Sequence, residues 1–334
     1  MRIYIMTSTK LIMPNQNTRS SKDKEAEEGN FLDVVAKTAV DELREDEATR
    51  RQCLAQFREW IQSNSDIQNC LMDDSFLLRF LRARKFSLAM AQQTLLKYLN
   101  FRKKFKHIFY DLDCQDAKIH ELVTNGYIFA SPFRDNNGRR VILTIPYKLD
   151  PSRYSSTDMT RAHMVTYETL IDEEENQILG FSYFGDGANV TIQHVAIWSI
   201  TEFATLMKWG EQSCPMRHKV LHIINLLPAF KYVVEFGASR VSPKLRDRLK
   251  IHNSISEMHE SLPSIVLPKE YGGVMPMADM IELWKKELAA KRDRLLSYDA
   301  MNLLSDRGII RRRNQPGGGE ISEMQGSFRK LEVD

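Results

Sequence analysis

An α/β fold, a small helical bundle leading into a mixed sheet, is predicted by three features of this sequence. Helical periodicity without proline runs from about Phe31 to Phe105, short β-rich runs begin after Asp111, and strand and helix patterns then alternate. At 334 residues the chain is long enough for two units, and its 43% hydrophobic and 27% charged residues are those of a globular protein.

Residues 1–30 are rich in Ser, Thr, Asn, Lys and Glu without periodic apolar positions, so they are expected to form a disordered N-terminal tail. Thr7, Ser8, Thr9 and Lys10 interrupt any signal-peptide core, which is consistent with a cytosolic start. Residues 31–110 form the expected bundle. Leu54, Phe57 and Ile61 share one stripe; Asp73, Asp74 and Ser75 offer caps to FLLRFLRARKF, where Leu77 and Leu81 stack and Arg79 and Arg82 project elsewhere. Ser87 can cap the next helix, which buries Ala91, Leu95, Tyr98 and Leu99.

Residues 111–280 form the expected α/β domain. GYIFAS and RRVILTIP flank Asn137-Gly138, a hairpin signal. Ser155 to Asp158 cap a helix through about Asn176, with Met164, Tyr167 and Ile171 on one face. A strand over 178–184, a helix from Thr201 to Gln212, a strand over 219–224 and helical text from Pro228 follow. Residues 281–334 read as a C-terminal helix and a flexible basic tail carrying Arg311, Arg312 and Arg313.

Several function classes lack their chemistry. A net charge of +3 is too mild to imply nucleic acid. Four scattered cysteines, without a CxxC pair, suit a reducing compartment, and no apolar run approaches the roughly 18 residues of a membrane span. Val190 stands where Gly185-Asp186-Gly187 would need the last glycine of a dinucleotide motif, and neither a GxSxG nor an HExxH motif occurs. Asp172 to Glu175 point around a helix rather than converging, so they read as a solvated helix end and not as an acid/base or metal cluster. His163, beside the apolar face, either touches a ligand or is satisfied by hydrogen bonds in ordinary packing, the second being the first choice.

FLLRFLRARKFSLAMAQQTLLKYLNFRKKF at 76–105, KVLHIIN at 219–225, SPKLRDRLKIHNS at 242–254 and LPKEYGG at 267–273 together resemble the CRAL-TRIO (Sec14-like) lipid-binding family. Within it the chain is most similar to the α-tocopherol transfer and retinaldehyde-binding group. The resemblance covers roughly residues 40–290 and implies an apolar pocket roofed by a mobile gate helix. It also implies a cytoplasmic monomer that meets membranes transiently, whose partners are a hydrophobic small-molecule lipid and a phosphoinositide-containing surface. No turnover, metal or cofactor is expected; the bound lipid is cargo.

On this resemblance the nearly apolar segment 225–241 is the gate, with Phe230, Tyr232, Val233 and Phe236 covering the pocket or entering the lipid interface, whereas its periodicity alone equally suits a buried core helix. Phosphoinositide headgroups would engage Arg84, Arg217, Lys219, Lys244 and Arg248; Lys244 and Arg248 are spaced i, i+4 and expected on one helical face. By period two, Phe181 and Tyr183 share a face, as do Leu221 and Ile223; with His163, Met164, Tyr167 and Leu206 they are the expected pocket. FGDGANV at 184–190 departs from the group's acidic-rich segment, and His163 and Tyr167 replace small hydroxyl residues, so the cargo is not assumed to be tocopherol. A phosphoinositide-sensing trafficking adaptor without net lipid transfer is the competing expectation.

Overall fold

Caps and apolar stripes start and orient the N-terminal helices in the computed structural model, which describes residues 21–197 and 199–310. Helix α1 (Ser21–Leu43) already includes residues 21–30, so the segment expected to be disordered is helical over its last third. Phe31, Val35, Ala39 and Leu43 pack against Ile178 and Leu179, and this docking holds a helix that its own composition does not. Residues 1–20 lie outside the described residues.

Helix α2 (Glu47–Ser63) begins where Asp46 accepts the Thr49 N–H, and buries Leu54, Phe57 and Ile61. A two-residue strand β1 (Ile67–Gln68) leads to α3 (Asp74–Ala83), capped by Asp73, and α4 (Leu88–Lys104), where Ser87 holds the N-cap position without a side-chain bond. Phe57, Phe76, Phe80 and Tyr98 stack edge-on to close the bundle core. The short helices α5 (Lys106–Phe109) and α6 (Ala117–Thr124) lead into the sheet.

Strands β2 (Ile128–Arg134) and β3 (Arg140–Thr144) form the expected hairpin: Gly138 has φ +72°, and the Asp135 carboxylate accepts from the Asn137 and Arg139 N–H groups. Helix α7 (Ser156–Ile171) opens with a Ser155/Asp158 capping box. It ends five residues short of the expected Asn176, and α8 (Glu174–Leu179) takes over, so Ile178 and Leu179 are helical rather than the start of a strand. Gly180, at φ +80°, turns the chain into β4 (Phe181–Asp186), and a Cβ there would clash with the Arg217 carbonyl.

The order continues with α9 (Ile192–Ala196), α10 (Ile200–Ser213), β5 (His218–Ile224), α11 (Pro228–Ser239), α12 (Pro243–Arg246), β6 (Leu249–Ile251), α13 (Ile255–His259), α14 (Met277–Ser297) and β7 (Asn302–Leu303). The main sheet runs β2-β3-β4-β5-β6, antiparallel in the hairpin and parallel from β3 to β6. The C-terminal helix is integral: Met280, Ile281, Trp284 and Leu288 enter the main core. Tyr298, Met301 and Leu303 then join the bundle core, and β7 pairs with β1. The basic tail at 311–334 lies outside the described residues. Among the described residues no helix is long and apolar enough to cross a membrane.

Strands that advance in one direction through right-handed crossovers keep their connecting helices on one side of the sheet. That side meets α7, where Tyr167 lies edge-on to Tyr183, followed by α10, which packs on α4 and whose Leu206 joins Met164 of α7 around Phe101 and Phe109, and α11 beside α10. The opposite side is closed by the chain between α13 and α14, where the Tyr271 ring meets Phe184 edge-on at 4.9 Å and its hydroxyl donates to Asp186 at 2.7 Å.

Candidate functional site

Cross-strand register aligns Ile142, Tyr183 and Leu221 in one row and Leu221 with Leu249; Ile223 pairs with Ile251 in the next row, on the same face of the sheet. Along this apolar face cover is progressively lost. Ile142 is fully buried, Tyr183 and Ile223 are partly buried, and Leu221 and Ile251 are 37% and 41% exposed. A strand in the interior of a sheet ordinarily has both faces covered, so an exposed leucine on β5 marks an open apolar cleft on the face that α7 borders through Tyr167. Of the pocket expected from sequence, Tyr183, Leu221 and Ile223 line this cleft. Phe181 is instead fully buried in the main core, while Met164 and Leu206 pack with Phe101, Phe109 and Cys214 where α4, α5, α7 and α10 meet.

His163 and Tyr167 form a polar stripe on the α7 wall. The Tyr127 hydroxyl lies 3.0 Å from His163 Nε2, and the Tyr167 hydroxyl 3.0 Å from His163 Nδ1. Opposite, the Tyr183 hydroxyl lies 2.6 Å from His218 Nδ1. Burial lowers both histidines to a pKa of about 4 and raises the Tyr183 phenol well above its usual value. Yet His163, Tyr167, Tyr183 and His218 all retain some accessible surface. Side chains that are desolvated but still accessible stand on the wall of an internal recess. His163 is hydrogen-bonded on both nitrogens, as expected of a packed histidine; of its partners, Tyr127 is buried and Tyr167 keeps accessible surface.

Helix α11 begins at Pro228, whose missing N–H costs nothing at a first turn. Phe230 and Phe236 are partly buried, whereas Tyr232 is 77% exposed and Val233 also faces out. Arg240 lies 4.4 Å above the Phe236 ring. The helix therefore carries apolar surface on both sides, one toward the protein and one toward solvent.

The basic residues divide into a cluster and two outliers. Arg217 and Lys219 both bond Glu42 of α1, Lys219 at 2.6 Å. Burial disfavours the charged form of Arg217, Lys219 and Arg248, and their mutual repulsion, with Arg139 contributing, adds to it; Glu42 only partly offsets this. Burial also opposes the Glu42 charge, but Lys219 and Arg217 hold its pKa below the usual value. Four cations thus crowd together, Glu42 bonding two of them, and Arg217 Nη1 is buried without a hydrogen bond. Arg139 and Glu42 escaped the sequence reading because a hairpin end and a distant helix meet here only through the fold.

Arg84 bonds away from this cluster, to Thr94 Oγ1 at 2.7 Å and the Gln212 carbonyl at 3.3 Å. Lys244 is exposed on α12 and does not share a helical face with Arg248. The expected i, i+4 pairing fails because α12 ends at Arg246, and Arg248 turns back to donate to the His218 carbonyl.

The acidic run is not solvated. Asp172 meets Arg79, Lys291 and Arg294; Glu173 meets Arg134, and Glu174 meets Arg50 and Arg82. Arg79 and Arg82, expected to project away from the packing, are among the most buried side chains. They lock the bundle to the α7–α8 corner behind the cleft.

An open apolar sheet face bordered by α7, with basic residues at the start of β5, is a surface suited to an apolar ligand. A family model described as CRAL/TRIO domain matches residues 124–273, and one described as Pinta-like, UBA domain matches residues 46–119. Clavesin-1 of Xenopus laevis is 30% identical over 240 residues, covering 72% of each chain. "Alpha-tocopherol transfer protein-like" of Homo sapiens is 29% identical over 262 residues, covering 78% of this chain and 75% of its own. Among solved structures, that titled "Crystal structure of Sfh5" covers 75% of this chain and 99% of its own, at 13% identity and a TM-score of 0.48. The chain belongs to the CRAL-TRIO family of lipid-binding and transfer proteins.

Proposed function

We propose that this protein is an intracellular carrier that holds one small hydrophobic lipid in the cleft between β4–β6 and helices α7, α10 and α11, and exchanges it at phosphoinositide-containing membranes. The observation that carries this reading is Leu221, an interior-strand leucine left 37% exposed on an otherwise apolar face. Family membership supports the same reading, as does the kinship to a protein named for tocopherol transfer. Four free cysteines suit a cytoplasmic location with transient membrane contact.

Burying about 400 Å² of apolar lipid surface is worth on the order of 10 kcal/mol relative to water. A bilayer offers similar burial, so transfer into the protein is nearly balanced, and the cleft supplies selectivity rather than driving force. Helix α11 controls access, and its outward Tyr232 and Val233 suit insertion among headgroups. The cluster of Arg139, Arg217, Lys219 and Arg248 suits a phosphorylated headgroup, which biases α11 toward opening only by binding the open state more tightly.

The test is transfer of a fluorescent lipid between vesicles with and without phosphoinositide, using wild type and Arg217→Glu/Lys219→Glu. Faster transfer with phosphoinositide, abolished by the double variant, is expected. Unchanged transfer by the variant rejects the headgroup role; wild-type vesicle binding without lipid movement identifies an adaptor instead.

A further inference from the structure

The hydroxyl protons on the cleft wall can be counted. A neutral imidazole has one N–H donor and one bare nitrogen acceptor, whereas each tyrosine hydroxyl both donates and accepts. In the Tyr127–His163–Tyr167 chain, one tyrosine must donate to the bare nitrogen and the other must accept from the N–H. The accepting tyrosine is left with a proton that no group in the chain takes.

Burial decides which tyrosine that is. Tyr127 is fully buried, and an unspent hydroxyl proton there would lose its hydration with no bond in return. It therefore donates to His163 Nε2, which places the imidazole proton on Nδ1 and directs it to Tyr167. The Tyr167 proton is the one left over, on a side chain that keeps accessible surface. Its ring lies edge-on to Tyr183, centroids 6.4 Å apart, and the pairing of the Tyr183 hydroxyl with His218 likewise leaves one donor unspent.

We infer that the cargo is a neutral lipid carrying an oxygen acceptor, such as an ester, ketone, ether or hydroxyl oxygen, and that the Tyr167 hydroxyl donates to it. This rests on the carrier reading and narrows it. The donors are neutral groups, and both histidines remain uncharged at neutral pH, so a carboxylate would trade full hydration for phenol donors alone.

Three chain-matched probes test this: nonadecane, methyl stearate and stearic acid, each partitioned from phosphatidylcholine vesicles into the full-length protein. Tyr167→Phe is expected to lower methyl stearate retention by about threefold to tenfold. Nonadecane retention should be unchanged, which also shows that the variant is folded. The infrared ester carbonyl stretch should lie lower in the wild-type complex than in the Tyr167→Phe complex. Equal loss of ester and alkane, an unshifted stretch, or tighter retention of stearate than of the ester each overturns the inference. Retention of all three probes alike overturns it while leaving the carrier reading intact; retention of none overturns both.

Discussion

A guanidinium with no exposed surface is stable only if its charge and hydrogen bonds are met, and Arg79 meets Glu168 at 3.0 Å, Asp172 at 3.3 Å and the Tyr298 hydroxyl at 3.0 Å. Arg79→Ala leaves two buried carboxylates short of a partner and is expected to cost about 3–5 kcal/mol in urea unfolding, an outcome inconsistent with a loss below 1 kcal/mol. The histidines act through pH. Burial holds His163 and His218 at about 4 against an ordinary 6.5, so the unfolded chain binds more protons between those values. Stability is complete above pH 6.5 and lost as pH falls toward 4, by up to about 3 kcal/mol per histidine. Urea midpoints at pH 5 and 7 check this; His163→Gln should flatten the dependence, and an unchanged slope would refute the assignment. None of these pairings was legible in the sequence. The acidic run reads as solvated because Arg79 lies some ninety positions away, and only folding brings it close.

Elements were legible where one local signal sufficed. The Asn137-Gly138 hairpin, the α2 stripe and the helix beginning at Pro228 all formed as their patterns indicate. The sequence reading erred where two local signals competed: Gly180 ends α8 and resets the strand, and Pro243 starts a separate short helix that removes Lys244 from the Arg248 face. Helix α11 and helix α1 make separate predictions. Tyr232→Asp/Val233→Asp changes exposed side chains, so folding should shift by less than about 1 kcal/mol while vesicle association is lost. Co-sedimentation equal to wild type would exclude α11 from membrane contact. Glu42 neutralises part of the basic cluster, so Glu42→Gln should strengthen association with anionic vesicles about fivefold, one cationic unit being worth about 1 kcal/mol. Unchanged or weaker association would show that Glu42 does not compete with headgroups.

At the scale of the molecule, the bundle and the C-terminal helix brace α7, α8 and α10 against the sheet, while the sheet face at Leu221 and Ile251 stays apolar and exposed. The order of periodicities made this architecture legible, and the motifs made the family legible. The cleft itself was less so, because Phe181 and Leu221 look equally apolar in sequence, yet one is core and the other exposed. That difference supplies the most direct test. Leu221 is exposed enough that Leu221→Asp should fold normally while placing a charge in the cleft. Native mass spectrometry after incubation with lipid extract should show one lipid mass per wild-type chain and none on the variant. Equal loading of both chains, or no bound lipid on the wild type, would contradict a carrier that holds its cargo on this face.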